Sequence, residues 1–157
     1  MPKITAIIHT KNDARRIGRA LESLRPCDEV LVVDHGSEDD TQKIAREHGA
    51  HLKDGVPGVS PGTYLVDAKN DWILSLLPNE SLTEALEASL FEWKEKDPDS
   101  ALGFSVEVRE EGKDGWKSAG TQTRLVNRKK VNWISDLPPN EADAEKLAGE
   151  LLRFHNP

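Results

Sequence analysis

Ile4-Thr5-Ala6-Ile7-Ile8-His9-Thr10-Lys11-Asn12-Asp13 and Glu29-Val30-Leu31-Val32-Val33-Asp34-His35-Gly36-Ser37 decide the fold. Each opens on a short, continuous, β-branched run that breaks into polar residues. Continuous rather than alternating apolar runs are the pattern of strands buried on both faces of a parallel sheet. Between them Ala14, Ile17, Leu21 and Leu24 recur at helical spacing, with Asn12 or Asp13 as the expected cap and Pro26 as the stop. After the second strand Ser37 with Asp40 has the spacing of a capping box, and Gly49 closes a helix carrying Ile44 and Ala45. Strand, helix, strand, helix joined by short turns predicts a parallel sheet with right-handed crossovers.

Working outward, Ala50–Leu52 reads as a third short strand, and 55–62, with three Gly and two Pro, reads as a loop. Tyr64–Ala68 suits one or two helical turns. Trp72–Leu77 is another core strand, broken at Pro78-Asn79. Ser81 with Glu84 is a second capping-box spacing, before a helix through Leu86, Leu90 and Trp93 to about Lys96. The pattern then changes. Leu102–Val108 alternates apolar and polar, Glu110–Gly115 reads as a hairpin turn, and Trp116 begins a returning strand. Thr121–Val126 and Val131–Ile134 flank a turn at 127–130, which predicts antiparallel strands. After Pro138-Pro139, Asn140 is placed to cap a helix through Phe154, with a β-return as the alternative. The expectation is one α/β domain over 1–157, with an α/β half at 1–96 and a smaller half, read as antiparallel, at 97–157.

Composition narrows the functional classes. The chain has 157 residues, 36% hydrophobic and 31% charged, enough for a real core and too apolar for disorder. A net charge of −7 disfavours nonspecific nucleic-acid binding. The one basic knot, Arg124, Arg128, Lys129 and Lys130, suits a phosphate, an anionic lipid surface or a solvated turn. A single cysteine, Cys27, permits no intrachain disulfide, and no apolar run approaches the ~20 residues of a membrane span. With no signal-peptide pattern, the expected location is the cytoplasm. The four Trp suggest a packed cluster or a binding surface. The five His lack metal-ligand spacing, although His9 and His35 fall at adjacent strand ends.

In an open parallel sheet, ligands bind beyond the carboxyl ends of the strands. Three polar clusters are expected there: His9–Asp13, Asp34–Ser37 and Leu77–Glu80. A fixed carboxylate such as Asp34 suits a base N–H or ribose hydroxyls, and strand-end acids also cap helices.

These segments resemble the family-2 glycosyltransferases of GT-A type. Ile4–Asp13 is similar to that family's opening strand and Thr-x-Asn-Glu-type turn. Leu21–Leu24 with Asp28–Thr41 is similar to its second strand and Asp-x-Gly-Ser-x-Asp-x-Thr turn. Asp71–Leu76 resembles the strand leading to its metal site. The resemblance covers residues 4 to about 95 and is fainter from Thr123 to His155. It implies a nucleotide-binding half at 1–96 and a reduced acceptor-side half at 97–157, a nucleotide-diphospho-sugar donor, a saccharide or lipid-linked acceptor, and transfer with inversion. Thr10, Lys11, Asp34, Gly36 and Ser37 match nucleotide-binding positions, and Glu141 matches an acid near the acceptor that would serve as catalytic base. Asp136 is a second candidate base.

The resemblance also implies Mg2+ or Mn2+ on the donor diphosphate, held by an Asp-x-Asp strand end. Leu77, Asn79 and Glu80 stand at those positions. Leu cannot ligate, and Glu80 alone keeps a charge, so Glu80 is the remaining metal ligand that the resemblance implies. Lys11, Arg124 and Lys129 are the candidates for cationic countercharge instead. The damaged motif leaves an alternative, an inactive relative that binds a nucleotide, a sugar or a protein partner without turnover.

Overall fold

The structure, a computed structural model, describes residues 2–96, 98 and 101–155. The elements in chain order are β1 (Ile4–Thr10), α1 (Ile17–Glu22), β2 (Glu29–Asp34), α2 (Thr41–Glu47), β3 (His51–Asp54), a 3-10 helix (Pro61–Asp67), β4 (Trp72–Ser75), β5 (Glu80–Leu82), α3 (Glu84–Trp93), β6 (Gly103–Gly112), β7 (Gly115–Asn127) and β8 (Glu145–Arg153). All eight strands join one mixed sheet in the order β3-β2-β1-β4-β7-β6-β8-β5. Both expected halves therefore contribute to a single sheet. The boundary expected at 96/97 adjoins residues 97, 99 and 100, which lie outside the described residues.

β1 is the axis. It pairs parallel with β2 on one side and with β4 on the other, and all seven of its residues are buried. The period-two alternation of a strand sorts its side chains to two faces. Ile4, Ala6 and Ile8 pack with Ile17, Ala20 and Leu21 of α1 and with Leu86, Leu90 and Trp93 of α3. Ile7 packs on the other face with Tyr64, Leu65, Val131 and Trp133. Apolar cover on both faces explains why β1 and β2 read as unbroken apolar runs. Trp72, Trp93 and Phe104 form the packed aromatic cluster, with ring centroids 5.1 to 5.8 Å apart. No helix among the described residues is long and apolar enough to cross a membrane.

The second half is antiparallel where it meets the first. β7 runs against β4, with Leu125 opposite Leu74, and returns from β6 through a hairpin at Gly112–Gly115. Val131–Ile134 is not a strand; Val131 and Trp133 instead cover the sheet. The helix expected from Asn140 through Phe154 is also overturned. Glu145–Arg153 forms β8, the β-return, parallel to β6 and antiparallel to β5. Leu151 is fully buried there, so tertiary pairing overrides the helical propensity of the Ala, Glu, Lys and Leu content. Gly149 allows this path. Its φ is +97°, and a Cβ at that position would overlap the backbone of Leu86 at the start of α3.

The helix caps differ from expectation as well. Neither Asn12 nor Asp13 caps α1; Arg16 occupies that position without a side-chain bond. Asp40 precedes α2 without capping it. Ser81 lies in β5, and Thr83 caps α3 by accepting from Leu86 N.

One buried ion group locks the halves together. Arg124 donates from Nη1 to Glu80 Oε1 at 2.6 Å and from Nη2 to Oε2 at 2.8 Å, a bidentate pair. Arg124 also donates to the Ser75 carbonyl at 3.1 Å. Arg153 adds Nε and Nη2 bonds to Glu80 Oε2 at 3.1 and 3.0 Å, and Leu77 N donates to Oε1 at 2.9 Å. The Glu80 and Arg124 side chains are both 0% exposed. Burial opposes ionisation of Glu80, but the bonds and charge of Arg124 outweigh it and hold the carboxyl below its ordinary value. The end of β4 is thus fixed to β5, β7 and β8. Breaking a buried, fully bonded pair leaves an uncompensated charge, so Glu80→Ala is expected to cost about 3–5 kcal/mol in urea unfolding. A loss below about 1 kcal/mol would show that the group does not hold the strands.

Candidate nucleotide site

β1 and β2 end side by side, with Thr10 opposite Asp34 and His35 N donating to the Thr10 carbonyl at 2.9 Å. The turn after β2 needs Gly36 at φ +84°. It folds Ser37 back onto Asp34, whose carboxylate accepts from Ser37 N (3.0 Å), Ser37 Oγ (2.5 Å) and Gln42 Nε2 (2.8 Å). Asp34 is 1% exposed; its burial opposes ionisation, and these bonds outweigh it and lower its pKa. The turn after β1 interlocks with this one. Asn12, at φ +57°, receives from Glu38 N through Oδ1 and donates from its own N–H to Ser37 Oγ. Thr10 Oγ1 donates to Asp13 Oδ2 at 2.6 Å, and Asp13 N donates to Thr41 Oγ1 at 2.9 Å. Leu76 N then bonds the Ile7 carbonyl, which brings the third cluster beside β1. The structure therefore gathers Thr10, Lys11, Asp34, Gly36 and Ser37 at one end of the sheet, with Lys11 exposed at the rim.

A feature with no motif signal lines the same end. His9 Nδ1 and His35 Nε2 are 3.0 Å apart, and the two rings stack at 5.3 Å. Tyr64 meets both edge-on. The loop from Gly55 folds over them, because a Cβ at Gly55 would collide with the His35 ring. Burial lowers the pKa of His9; Asp136 opposes and His35 reinforces the shift. The native state thus keeps His9 neutral where an unfolded chain protonates it. This contribution is fully present above the ordinary value of about 6.5 and is lost as pH falls through the lowered folded value. Wild-type thermal stability is expected to fall between pH 7.5 and 5.5, and His9→Gln to flatten that dependence. An unchanged slope in the variant would remove His9 as its source.

The remaining expected residues separate. Glu141 is half-buried; its N–H donates to Thr123 Oγ1, and its neighbours are Ala101–Phe104 at the start of β6. None of these contacts is shared with the cluster at Thr10–Asp13 and Asp34–Ser37. Asp136 acts electrostatically on His9 at the strand ends. The basic knot does not exist as a unit. Arg124 is buried with Glu80, while Arg128 and Lys129 pair with Asp71. Burial pushes the Cys27 thiol up to about 12, which suits no nucleophile.

The metal positions do not fit a hard divalent cation. Leu77 offers no ligand, and the Asn79 amide donates to the Phe154 carbonyl at 2.8 Å. Both Glu80 oxygens are taken by guanidinium groups, so the charge expected for a metal is spent inside the sheet. No group of three His, Cys, Asp or Glu suited to a metal occurs among the described residues.

Comparison with known proteins places these features. The sequence model of Glycosyl transferase family 2 matches residues 5–58. An uncharacterized glycosyltransferase of Rickettsia felis is 36% identical over 118 residues, covering 69% of this chain and 40% of that protein. The chain thus spans about two fifths of such a relative. Glucosyl-3-phosphoglycerate synthase from Mycobacterium tuberculosis, solved with Mn2+, UDP and phosphoglyceric acid, superposes with a TM-score of 0.53 at 19% identity, covering 72% of this chain and 45% of that one. A mycobacterial protein of known structure covers 98% of this chain and 65% of its own, with a TM-score of 0.57 at 15% identity. The sequence matches and the likeness of fold agree: the chain belongs to the family-2 glycosyltransferases, with a GT-A-like α/β fold.

Proposed function

We propose that this chain binds a nucleotide-diphospho-sugar at the ends of β1 and β2 and transfers the sugar to the hydroxyl of a saccharide or lipid-linked acceptor. The observation that supports this reading is the interlocking of the Thr10–Asp13 and Asp34–Ser37 turns. It fixes a buried carboxylate, a hydroxyl and a glycine turn at the position where open sheets take ligands. The Asp34 carboxylate accepts from Ser37 N, Ser37 Oγ and Gln42 Nε2 and is drawn on by the Gly36 backbone as well. A base N–H or a ribose hydroxyl reaches it by exchange for one of these bonds. Thr10 and Ser37 flank it, and Lys11 supplies charge at the rim. The stacked His9–His35 pair with Tyr64, beneath the loop from Gly55, backs this end of the sheet.

Transfer with inversion requires one base to take the proton of the acceptor hydroxyl. Asp136 is the better placed of the two acids, since it acts on His9 at the strand ends while Glu141 faces the start of β6. Titration calorimetry with UDP, GDP, CDP and dTDP tests the reading. One nucleotide is expected to bind, and Asp34→Ala to weaken it by roughly tenfold or more, as for the loss of a charge-assisted bond. Asp34→Asn, which keeps acceptor capacity for Ser37 and Gln42, separates ligand loss from turn collapse. No binding by any nucleotide, or equal binding by both variants, would overturn the assignment.

A further inference from the structure

The donor's diphosphate needs positive charge, and the strand end expected to supply it through a metal has none to offer. The connection from β1 to α1 does. Residues 11–19 carry Lys11, Arg15, Arg16 and Arg19 against one carboxylate, Asp13, in a chain of net charge −7. The acids nearby are already satisfied by uncharged donors. Asp13 accepts from Thr10 and Lys11 N, and Asp39 accepts from Thr41 and Ala14 N. Asn12, Asp13, Ala14, Arg15, Arg16 and Asp39 together line a depression at this edge. Among the described residues, no carboxylate forms an ion pair with any of the four cations.

Arg19 is fixed in place. Its guanidinium lies 3.8 Å above the Phe154 ring, and Trp116 meets that ring edge-on at 5.1 Å. Phe154 in turn is paired with Asn79 by two bonds, Phe154 N to the Asn79 carbonyl at 2.9 Å and Asn79 Nδ2 to the Phe154 carbonyl at 2.8 Å. The cation therefore stands one residue from the degenerate metal motif. Stacking uses the face of a guanidinium and leaves its in-plane N–H donors free, and these match a phosphate bidentately.

We propose that Arg19, assisted by Lys11, Arg15 and Arg16, binds the diphosphate of the donor in place of a divalent cation. The proposal rests on the donor-binding reading above. In the transfer step the acceptor oxygen bonds to the sugar C1 as the bond from C1 to the diphosphate oxygen breaks. The bonding pair leaves on the diphosphate, and the acceptor proton passes to a carboxylate base. Fixed guanidinium N–H groups stabilise the negative charge that develops on the leaving oxygen.

The test is calorimetry of UDP, GDP, CDP and dTDP, with their monophosphates, in EDTA and in Mn2+. The nucleoside diphosphate that binds is expected to do so in EDTA, within about twofold of its affinity in Mn2+. Arg19→Gln is expected to weaken the diphosphate roughly tenfold and the monophosphate less. Phe154→Leu is expected to fall between wild type and Arg19→Gln, and Arg19→Lys to recover only part. Arg19 is exposed and Phe154 half-buried, and far-UV circular dichroism checks that each variant keeps the wild-type fold. Binding that requires Mn2+, or equal diphosphate affinity in Arg19→Gln, overturns this inference alone. Failure of every nucleotide with and without metal overturns the donor-binding reading as well.

Discussion

The carboxylate of Glu80, held between Arg124 and Arg153, is the interaction on which the rest depends. It sits where the parallel half of the sheet hands over to the antiparallel half, and it bonds to groups on β7, β8 and the loop after β4. An ionised acid with no solvent exposure is tolerable only when each oxygen is bonded and its charge is matched. Two arginines meet that requirement, and in doing so they fix the end of β4 to β5, β7 and β8. The same commitment removes Glu80 from any exchange with ligand. Structure and chemistry thus compete for one side chain, and here structure takes it.

That competition shifts the electrostatics of the site. With Leu77 apolar, Asn79 bonded to Phe154 and Glu80 neutralised, the strand end presents little net charge of either sign. Four cations without an ion pair among the described residues stand on the β1–α1 connection and the start of α1, and Arg19 is carried to the motif's edge by an aromatic ring from the end of β8. The last strand therefore both closes the sheet and furnishes the platform for a charge on the first helix. The joined ends of β1 and β2 have the opposite design, since Asp34 keeps its charge at a position buried by its own turn.

Much of this was legible in the sequence where the physics is local. β1 and β2 announce themselves as continuous apolar runs, and the rule that ligands meet strand ends brings Thr10, Asp34 and Ser37 together. His9 and His35 were legible as neighbours for the same reason. The C-terminal third was not. Residues 140–154 have the composition of a helix, and only pairing with β6 and β5 makes them β8. The knot at Arg124–Lys130 misleads because neighbours in sequence part in space: Arg124 points into the sheet toward an acid 44 residues away, while Arg128 turns to Asp71. Glu80 read as a ligand because a motif position carries no information about who already holds it. The Arg19–Phe154 stack joins the first helix to the last strand, a contact that no local pattern encodes.

The central claim is that the strand end is closed to a divalent cation by its own arginines. Paramagnetic broadening in 1H–15N spectra of the intact chain tests it most directly. The account predicts that stoichiometric Mn2+ alone leaves the amides of Asn79 and Glu80 sharp, while the nucleoside diphosphate in EDTA shifts those of Ser37 and Arg19. Selective broadening of Asn79 and Glu80 on adding Mn2+ would contradict it.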